Sequence, residues 1–173
     1  NNQIKELYRK KQAKRKISHN ELANKLLSYG NEFKVEKNPV NSWTIRKKGI
    51  TKDSNGKIKS NKRFGKSVGN HAPSMFITIL KNKVERLGGT FYEIPIKTSA
   101  TQYDFTNGEK KPHDLSERQV TLSNGNKHCR DLMAAFNLQH IDVVEREKET
   151  EYKYDNTSME HDYGDFCNKE KEL

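Results

Sequence analysis

Residues 73–96, PSMFITILKNKVERLGGTFYEIPI, read as a helix followed at once by a strand. Pro73 suits a first helical turn, where its missing N–H leaves nothing unpaired. Met75, Phe76, Ile79, Leu80, Val84 and Leu87 then recur at helical spacing, and Gly88-Gly89 stops the run. Residues 90–96 follow as a β-rich strand. Upstream, residues 32–37, EFKVEK, alternate apolar and charged side chains, which predicts a second strand ended by Asn38-Pro39. Two strands on either side of a helix make one βαβ unit, and two strands alone do not make an adequate sheet.

On the N-terminal side, residues 3–16 have helix-forming composition with seven basic side chains. Ser18-His19-Asn20-Glu21 is a capping box that predicts a second helix carrying Leu22, Ala23, Leu26 and Leu27, with Gly30 as its stop. Residues 40–73 hold nine Lys/Arg against the single acid Asp53, around the turn signal Asp53-Ser54-Asn55-Gly56. This basic excursion is a hairpin or a mobile loop. Residues 98–127 are polar and read as an inserted loop or small hairpin. A short helix follows over 128–141, with Leu132, Ala135, Phe136 and Gln139 on one stripe and Asp131 in the first turn, where the helix dipole favours a carboxylate. Beyond Asp142 the charged tail predicts partial disorder. The order helix, strand, basic loop, helix, strand, insert, helix belongs to the α/β class.

Composition sharpens this outline. A chain of 173 residues normally makes one domain, yet Leu, Ile, Val and Phe number only 35, close to the roughly 20% line below which a packed core becomes hard to build. The domain is thinly cored or incomplete. Residues 1–141 carry a formal +16, whereas residues 142–173 carry −6. A cationic body of this size is expected to meet a polyanion. No apolar run reaches the roughly 18 residues of a spanning helix, and NNQIKELYRKKQAKRK has no apolar signal core. Two cysteines, Cys129 and Cys167, suit a reducing cytoplasm rather than a disulfide framework.

Candidate chemistry falls in three places. Glu36, on a strand, and Asp131, in a first helical turn, are the candidate catalytic carboxylates. A strand Glu beside a Lys also reads as a plain solvent-facing residue. In the basic excursion Arg46, Lys47, Lys48, Lys62, Arg63 and Lys66 would repel one another without a polyanion. Trp43 and Phe64 sit among them, as stacking groups for unpaired bases or as core plugs. Arg118 and Arg130 are further candidate phosphate contacts, Arg130 alternatively serving the helix start. His71, His113 and His128 lack metal-site spacing, and Cys129 reads as a small buried residue.

From Phe33-Lys34-Val35-Glu36-Lys37-Asn38-Pro39-Val40 onward the chain resembles the second RuvC motif of the TnpB-like transposon proteins and the type V CRISPR effector nucleases. The resemblance continues through Gly69-Asn70-His71-Ala72, Pro95-Ile96-Lys97-Thr98-Ser99-Ala100-Thr101 and Leu115-Ser116-Glu117-Arg118. It closes at Arg130-Asp131-Leu132-Met133-Ala134-Ala135-Phe136-Asn137-Leu138, similar to the third motif Arg-Asp-x-Asn-Ala-Ala-x-Asn-Ile with Met133 in place of the first Asn. It covers about residues 18–140 in one colinear order.

The resemblance implies a partial RNase H-like (RuvC) fold. Residues 1–97 would carry the second motif and the basic loop, 98–127 a degenerate zinc-ribbon insert, 128–141 the third-motif helix, and 142–173 an acidic, partly disordered tail. Glu36 and Asp131 would be catalytic metal ligands for two Mg²⁺ ions, acting on a DNA target selected by a guide RNA. The family's first ribbon pair of cysteines falls on Gln102 and Phe105, and residues 98–130 supply only His113, His128 and Cys129 as N or S ligands, so no zinc is expected. No Asp precedes Glu36. The first three strands and the first catalytic Asp are therefore expected in a missing N-terminal half of the protein or in a partner chain. A nuclease-dead RNA-guided DNA-binding protein and a cationic nucleic-acid-binding fragment are the alternatives.

Overall fold

The computed structural model describes residues 2–44, 49, 52, 54–58, 65–114, 116–147 and 149–172. Its first element, α1 (Asn2–Leu27), is one helix of 26 residues rather than two. The Ser18–Glu21 capping box lies inside it, and the Asn20 side-chain amide donates back to the carbonyl of Lys16 at 2.8 Å. No Pro or Gly interrupts residues 2–27. Extending an existing helix costs far less than nucleating another, so the local cap signal loses. The C-terminal third of α1 is the anchored part. Ala23 is fully buried with Leu80 and Val84, and Leu26, Leu27, Phe33, Phe76, Ile79 and Phe91 pack around them.

Two short helices, α2 (Val40–Thr44) and α3 (Gly65–His71), lie on either side of the basic excursion. Between them Lys52 and Ile58 form an antiparallel bridge around Gly56, which has φ +76°. From α3 the carbonyls of Gly69 and Asn70 accept from Arg15, and Asn70 Oδ1 accepts from Lys11 at 2.6 Å.

Pro73 opens α4 (Pro73–Arg86) as its sequence predicts, preceded by Ala72 in the left-handed region at φ 46°. Leu80 and Val84 are its buried residues. Past the glycine stop comes β2 (Thr90–Ile94), which pairs with β1 (Glu32–Glu36). The Thr90 N–H donates to the Asn31 carbonyl at 2.9 Å, and the Lys37 N–H donates to the Ile94 carbonyl at 2.8 Å. Those two bonds, one at each end, make the strands parallel. Gly89 makes the crossover possible, because a Cβ there would collide with the Asn31 carbonyl oxygen.

The chain divides into two compact units, Asn1–Phe33 with Asn38–Phe91 and Lys34–Lys37 with Tyr92–Leu173. In the second unit Pro95 ends β2, and a single 3₁₀ turn, Ile96–Thr98, takes over where the sequence predicts two more strand residues. Two hairpins occupy the insert, β3 (Tyr103–Asp104) with β4 (Glu109–Lys110) and β5 (Gln119–Thr121) with β6 (Lys127–Cys129). Helix α5 (Arg130–Gln139) follows. Residues after Asp142, where composition argues partial disorder, complete the antiparallel pair β7 (Ile141–Glu145) and β8 (Thr150–Tyr154) and form α6 (Asn156–Lys171). Their ordering has a physical source. Met159 is fully buried in a core with Tyr103, Phe105, Val120, Leu122, Met133 and Phe136, and Tyr154, Tyr163 and Phe166 pack against it. Four spaced apolar residues are enough to hold an otherwise acidic segment.

The buried face of α5 is not the predicted stripe. Met133, Phe136, Asn137 and His140 are inside, whereas Ala135 and Gln139 are exposed. Asn137 and His140 are polar, so hydrophobic periodicity points one residue away from the true face. Among the described residues the molecule is mixed α/β with four separate two-stranded sheets. No helix among them is long and apolar enough to cross a membrane.

Candidate functional site

Glu36 is the last residue of β1 and is half-buried. Its backbone neighbour across the pair, Ile94, is fully buried. The Glu36 carboxylate lies close enough to Tyr154 to act on it electrostatically. Burial pushes the Tyr154 phenol up to about 12; the hydrogen bond to the Thr98 carbonyl opposes the rise, and Tyr103 and the Glu36 charge add to it. The Tyr154 ring stacks on Tyr103 with centroids 3.6 Å apart and planes 5° from parallel. Tyr103 in turn donates to Asn156 Oδ1 at 2.6 Å.

Asp131 stands in the first turn of α5 with its side chain 74% exposed, 3.8 Å from the Arg130 guanidinium. Cys129, in extended conformation, is the cap residue ahead of it and is exposed, contrary to the expectation of a buried thiol. Three contacts set where α5 lies. The fully buried Asn137 amide donates to the carbonyls of Ala100 and Tyr103, both at 2.8 Å. Lys34 Nζ, from β1, donates to the Gln139 carbonyl at 2.9 Å, at the negative end of the helix dipole. The Arg130 N–H donates to the Arg118 carbonyl at 2.9 Å. β1 therefore meets α5 at Gln139, eight residues or roughly 12 Å along the helix from Asp131.

Glu36 and Asp131 thus keep different company, Tyr154 for one and Arg130 for the other. Among the described residues no group of three or more His, Cys, Asp or Glu side chains is arranged to hold a metal ion. Arg130 is turned inward, with its side chain 15% exposed and Nη1 3.3 Å from the Asp114 carbonyl, whereas Arg118 is exposed. Trp43, in α2, is 38% exposed and so is not a core plug. Arg46, Lys47, Lys48, Lys62, Arg63 and Phe64 lie outside the described residues, as does the side chain of Lys66 in α3.

In the insert the two hairpins are joined by Asp104, 8% exposed. One carboxylate oxygen accepts from the Thr106 N–H and hydroxyl at 3.0 and 2.6 Å; the other accepts from the Ser123 N–H and hydroxyl at 2.7 and 2.8 Å. Sequence reading passed over this residue, although Asp104-Phe105-Thr106 carries the Asx-turn pattern that announces its first two bonds. A second network closes over β6. His128 Nδ1 lies 2.6 Å from Glu170 Oε2, and Nε2 lies 2.6 Å from the Tyr163 hydroxyl. In a neutral imidazole the carboxylate takes the Nδ1 proton and Nε2 accepts from Tyr163; the Tyr163 oxygen accepts from Asn126 at 3.0 Å. His113 pairs with Glu117 at 3.4 Å. No local pattern joins His128 to partners 35 and 42 residues away. Compared with protein-family models and with curated proteins, the chain matches none.

Proposed function

We propose that this chain is part of an RNA-guided DNA endonuclease of the TnpB and type V CRISPR kind, on a partial RNase H-like fold, and that Glu36 and Asp131 are its share of the metal-binding carboxylates. One observation supports the reading above others. Glu36 ends the first strand of a parallel βαβ unit, Asp131 opens α5, and Lys34 bonds that same strand to that same helix. Strand and helix are then held as one frame for two acids.

RuvC-type hydrolysis uses two divalent ions among clustered carboxylates, one activating water and one stabilising the leaving oxygen. Glu36 and Asp131 by themselves do not fit a pair of magnesium ions, and the described residues add no third ligand to a common group. The chain is accordingly assigned part of a site. The remaining carboxylate belongs to an N-terminal half of the same polypeptide or to a partner chain. Asp131 is exposed at the positive end of α5, beside the Arg130 guanidinium. The cations of residues 40–66, with Arg118, would hold the phosphates of guide RNA and target DNA, and Trp43 would stack on an unpaired base. A reducing cytoplasm is the compartment that fits two free thiols.

The test supplies the upstream segment in cis or in trans and follows cleavage of single-stranded DNA with magnesium. Cutting is expected, and is expected to vanish in Glu36→Ala and in Asp131→Ala. Cutting unchanged in both variants removes the site assignment. Guide-dependent binding without cutting in the completed protein assigns the nuclease-dead alternative.

A further inference from the structure

The face of α5 that reads as core in the sequence looks instead into an open groove. Leu132, Ala135 and Gln139 of α5 line it, and Phe136 of the same helix and Phe166 of α6, with ring centroids 4.7 Å apart, meet at its floor. Asp162, Asp165 and Glu170 stand along the rim, against the one cation Lys169. The hollow measures about 350 Å³, room for roughly ten waters. Asp162 and Glu170 are engaged with His140 and His128, which leaves Asp165 as the acid that faces out.

A complementary surface is exposed elsewhere on the same chain. Ile4, Leu7 and Tyr8 stand at i, i+3 and i+4 on α1 and are 55, 66 and 70% exposed. Lys5, Arg9, Lys10, Lys11 and Lys14 surround them, with Arg9 and Lys10 sharing the single acid Glu6 and Lys11 bonded to Asn70. Among the described residues of α1, Arg15, His19 and Asn20 are half-buried and Ala23 is fully buried. Residues 2–10 precede the first bonds from α1 to α3, made by Lys11 and Arg15, and extend about 14 Å of helix with an apolar triplet that packs on nothing described. A mostly polar, exposed helix gains its stability from a partner.

We propose that the α5–α6 groove receives the N-terminal half of α1 from a second copy of this chain. Ile4, Leu7 and Tyr8 pack over the apolar floor that the touching rings of Phe136 and Phe166 form, centroids 4.7 Å apart, in the helix-in-groove manner read from i, i+3 and i+4 anchors. The flanking cations of α1 meet Asp165 and the rest of the acidic rim. Two copies exchange the same helix, so the contact is made twice and the assembly closes as a dimer. The proposal is independent of the nuclease reading, since none of its residues belongs to that site.

Light-scattering mass measurement on the whole chain, over a range of concentrations, tests it. The expected mass is twice the 20.1 kDa of one chain. Leu7→Glu and Ala135→Arg, both at exposed positions, are each expected to halve the mass while leaving the thermal unfolding midpoint of the separated chains unchanged. Raising salt is expected to shift the dimer toward monomer, because charge pairs at the rim are screened. As a second measurement, a tagged copy bearing Leu7→Cys is mixed with an untagged copy bearing Gln139→Cys, in a background with Cys129 and Cys167 replaced by Ser. Tagged-to-untagged crosslinking supports the proposal. A wild-type monomer at every concentration overturns it, as does a dimer that survives both substitutions or a mixture in which tagged and untagged copies do not crosslink.

Discussion

Asp104 and Ser123, in different hairpins, are joined by two hydrogen bonds to a single carboxylate oxygen, 2.7 Å from the Ser123 N–H and 2.8 Å from its hydroxyl. The other oxygen holds Thr106 in the same way. One side chain thus fastens both turns of the insert, a task that metal ligands perform in ribbon folds.

That arrangement predicts acid sensitivity. Burial alone would raise the Asp104 carboxyl, but the bonds from Thr106 and Ser123 outweigh it, and the folded-state value is lowered. A depressed carboxyl contributes stability above its unfolded value of about 3.9 and loses it as pH falls through the folded value. Urea unfolding from pH 6 down to pH 2 is expected to show this loss below about pH 4, and Asp104→Ala to lack it. The same variant strands buried donors and is expected to cost about 1–3 kcal/mol at neutral pH. Metal analysis of the purified chain is expected to return no stoichiometric zinc.

Two glycines are expected to respond in opposite directions. Gly89→Ala drives a Cβ into the Asn31 carbonyl and to within 3.0 Å of Val84 Cγ1, at a cost of roughly 1–3 kcal/mol. Gly164, inside α6, has open space around it. Gly164→Ala is expected to stabilise by about 0.4–1 kcal/mol, by limiting the unfolded chain and favouring helix. Thermal melts of the two variants decide both signs.

Tyr163→Phe removes the hydroxyl that lies 2.6 Å from His128 Nε2. It is expected to destabilise by about 1–3 kcal/mol. A double-mutant cycle with His128→Phe is expected to show coupling rather than additivity, because the two residues share one network. Additive losses would mean that the hydroxyl contributes nothing through the imidazole.

Neutralising Arg46, Lys47 and Lys48 together addresses the basic excursion. If each contacts a phosphate, the slope of log affinity against log salt falls by about 0.9 per residue on duplex DNA, or about 0.7 on a single strand. Filter binding at four or five salt concentrations measures it. A slope that stays put excludes the three as phosphate contacts.

The parts of the fold legible in the sequence are those where local chemistry and tertiary packing agree. Pro73, the apolar spacing of α4 and the Gly88-Gly89 stop all point to one helix and one strand, and both are present. Ser18–Glu21 misleads because a cap is a local signal, while the continuation of α1 depends on residues to both sides. The face of α5 misleads because Asn137 and His140 are buried for their hydrogen bonds, with the Ala100, Tyr103 and Phe136 carbonyls, rather than for hydrophobicity. Past Asp142, net charge outweighs four well-spaced residues, Tyr154, Met159, Tyr163 and Phe166, that decide the packing. At the candidate site Glu36 and Asp131 were legible as residue types. Their settings were not, since Tyr154 and the Lys34–Gln139 bond come from 118 and 105 residues away.

Tyr103 ties four elements of the second unit together. Its carbonyl is held by Asn137 of α5, its ring by Tyr154 of β8, and its hydroxyl by Asn156 at the start of α6. A hairpin so connected has no private unfolding route. Opening it means releasing a helix, a strand and a second helix together, so amide protons across all four elements should exchange at a common rate, as one foldon instead of a core with a loose insert and tail.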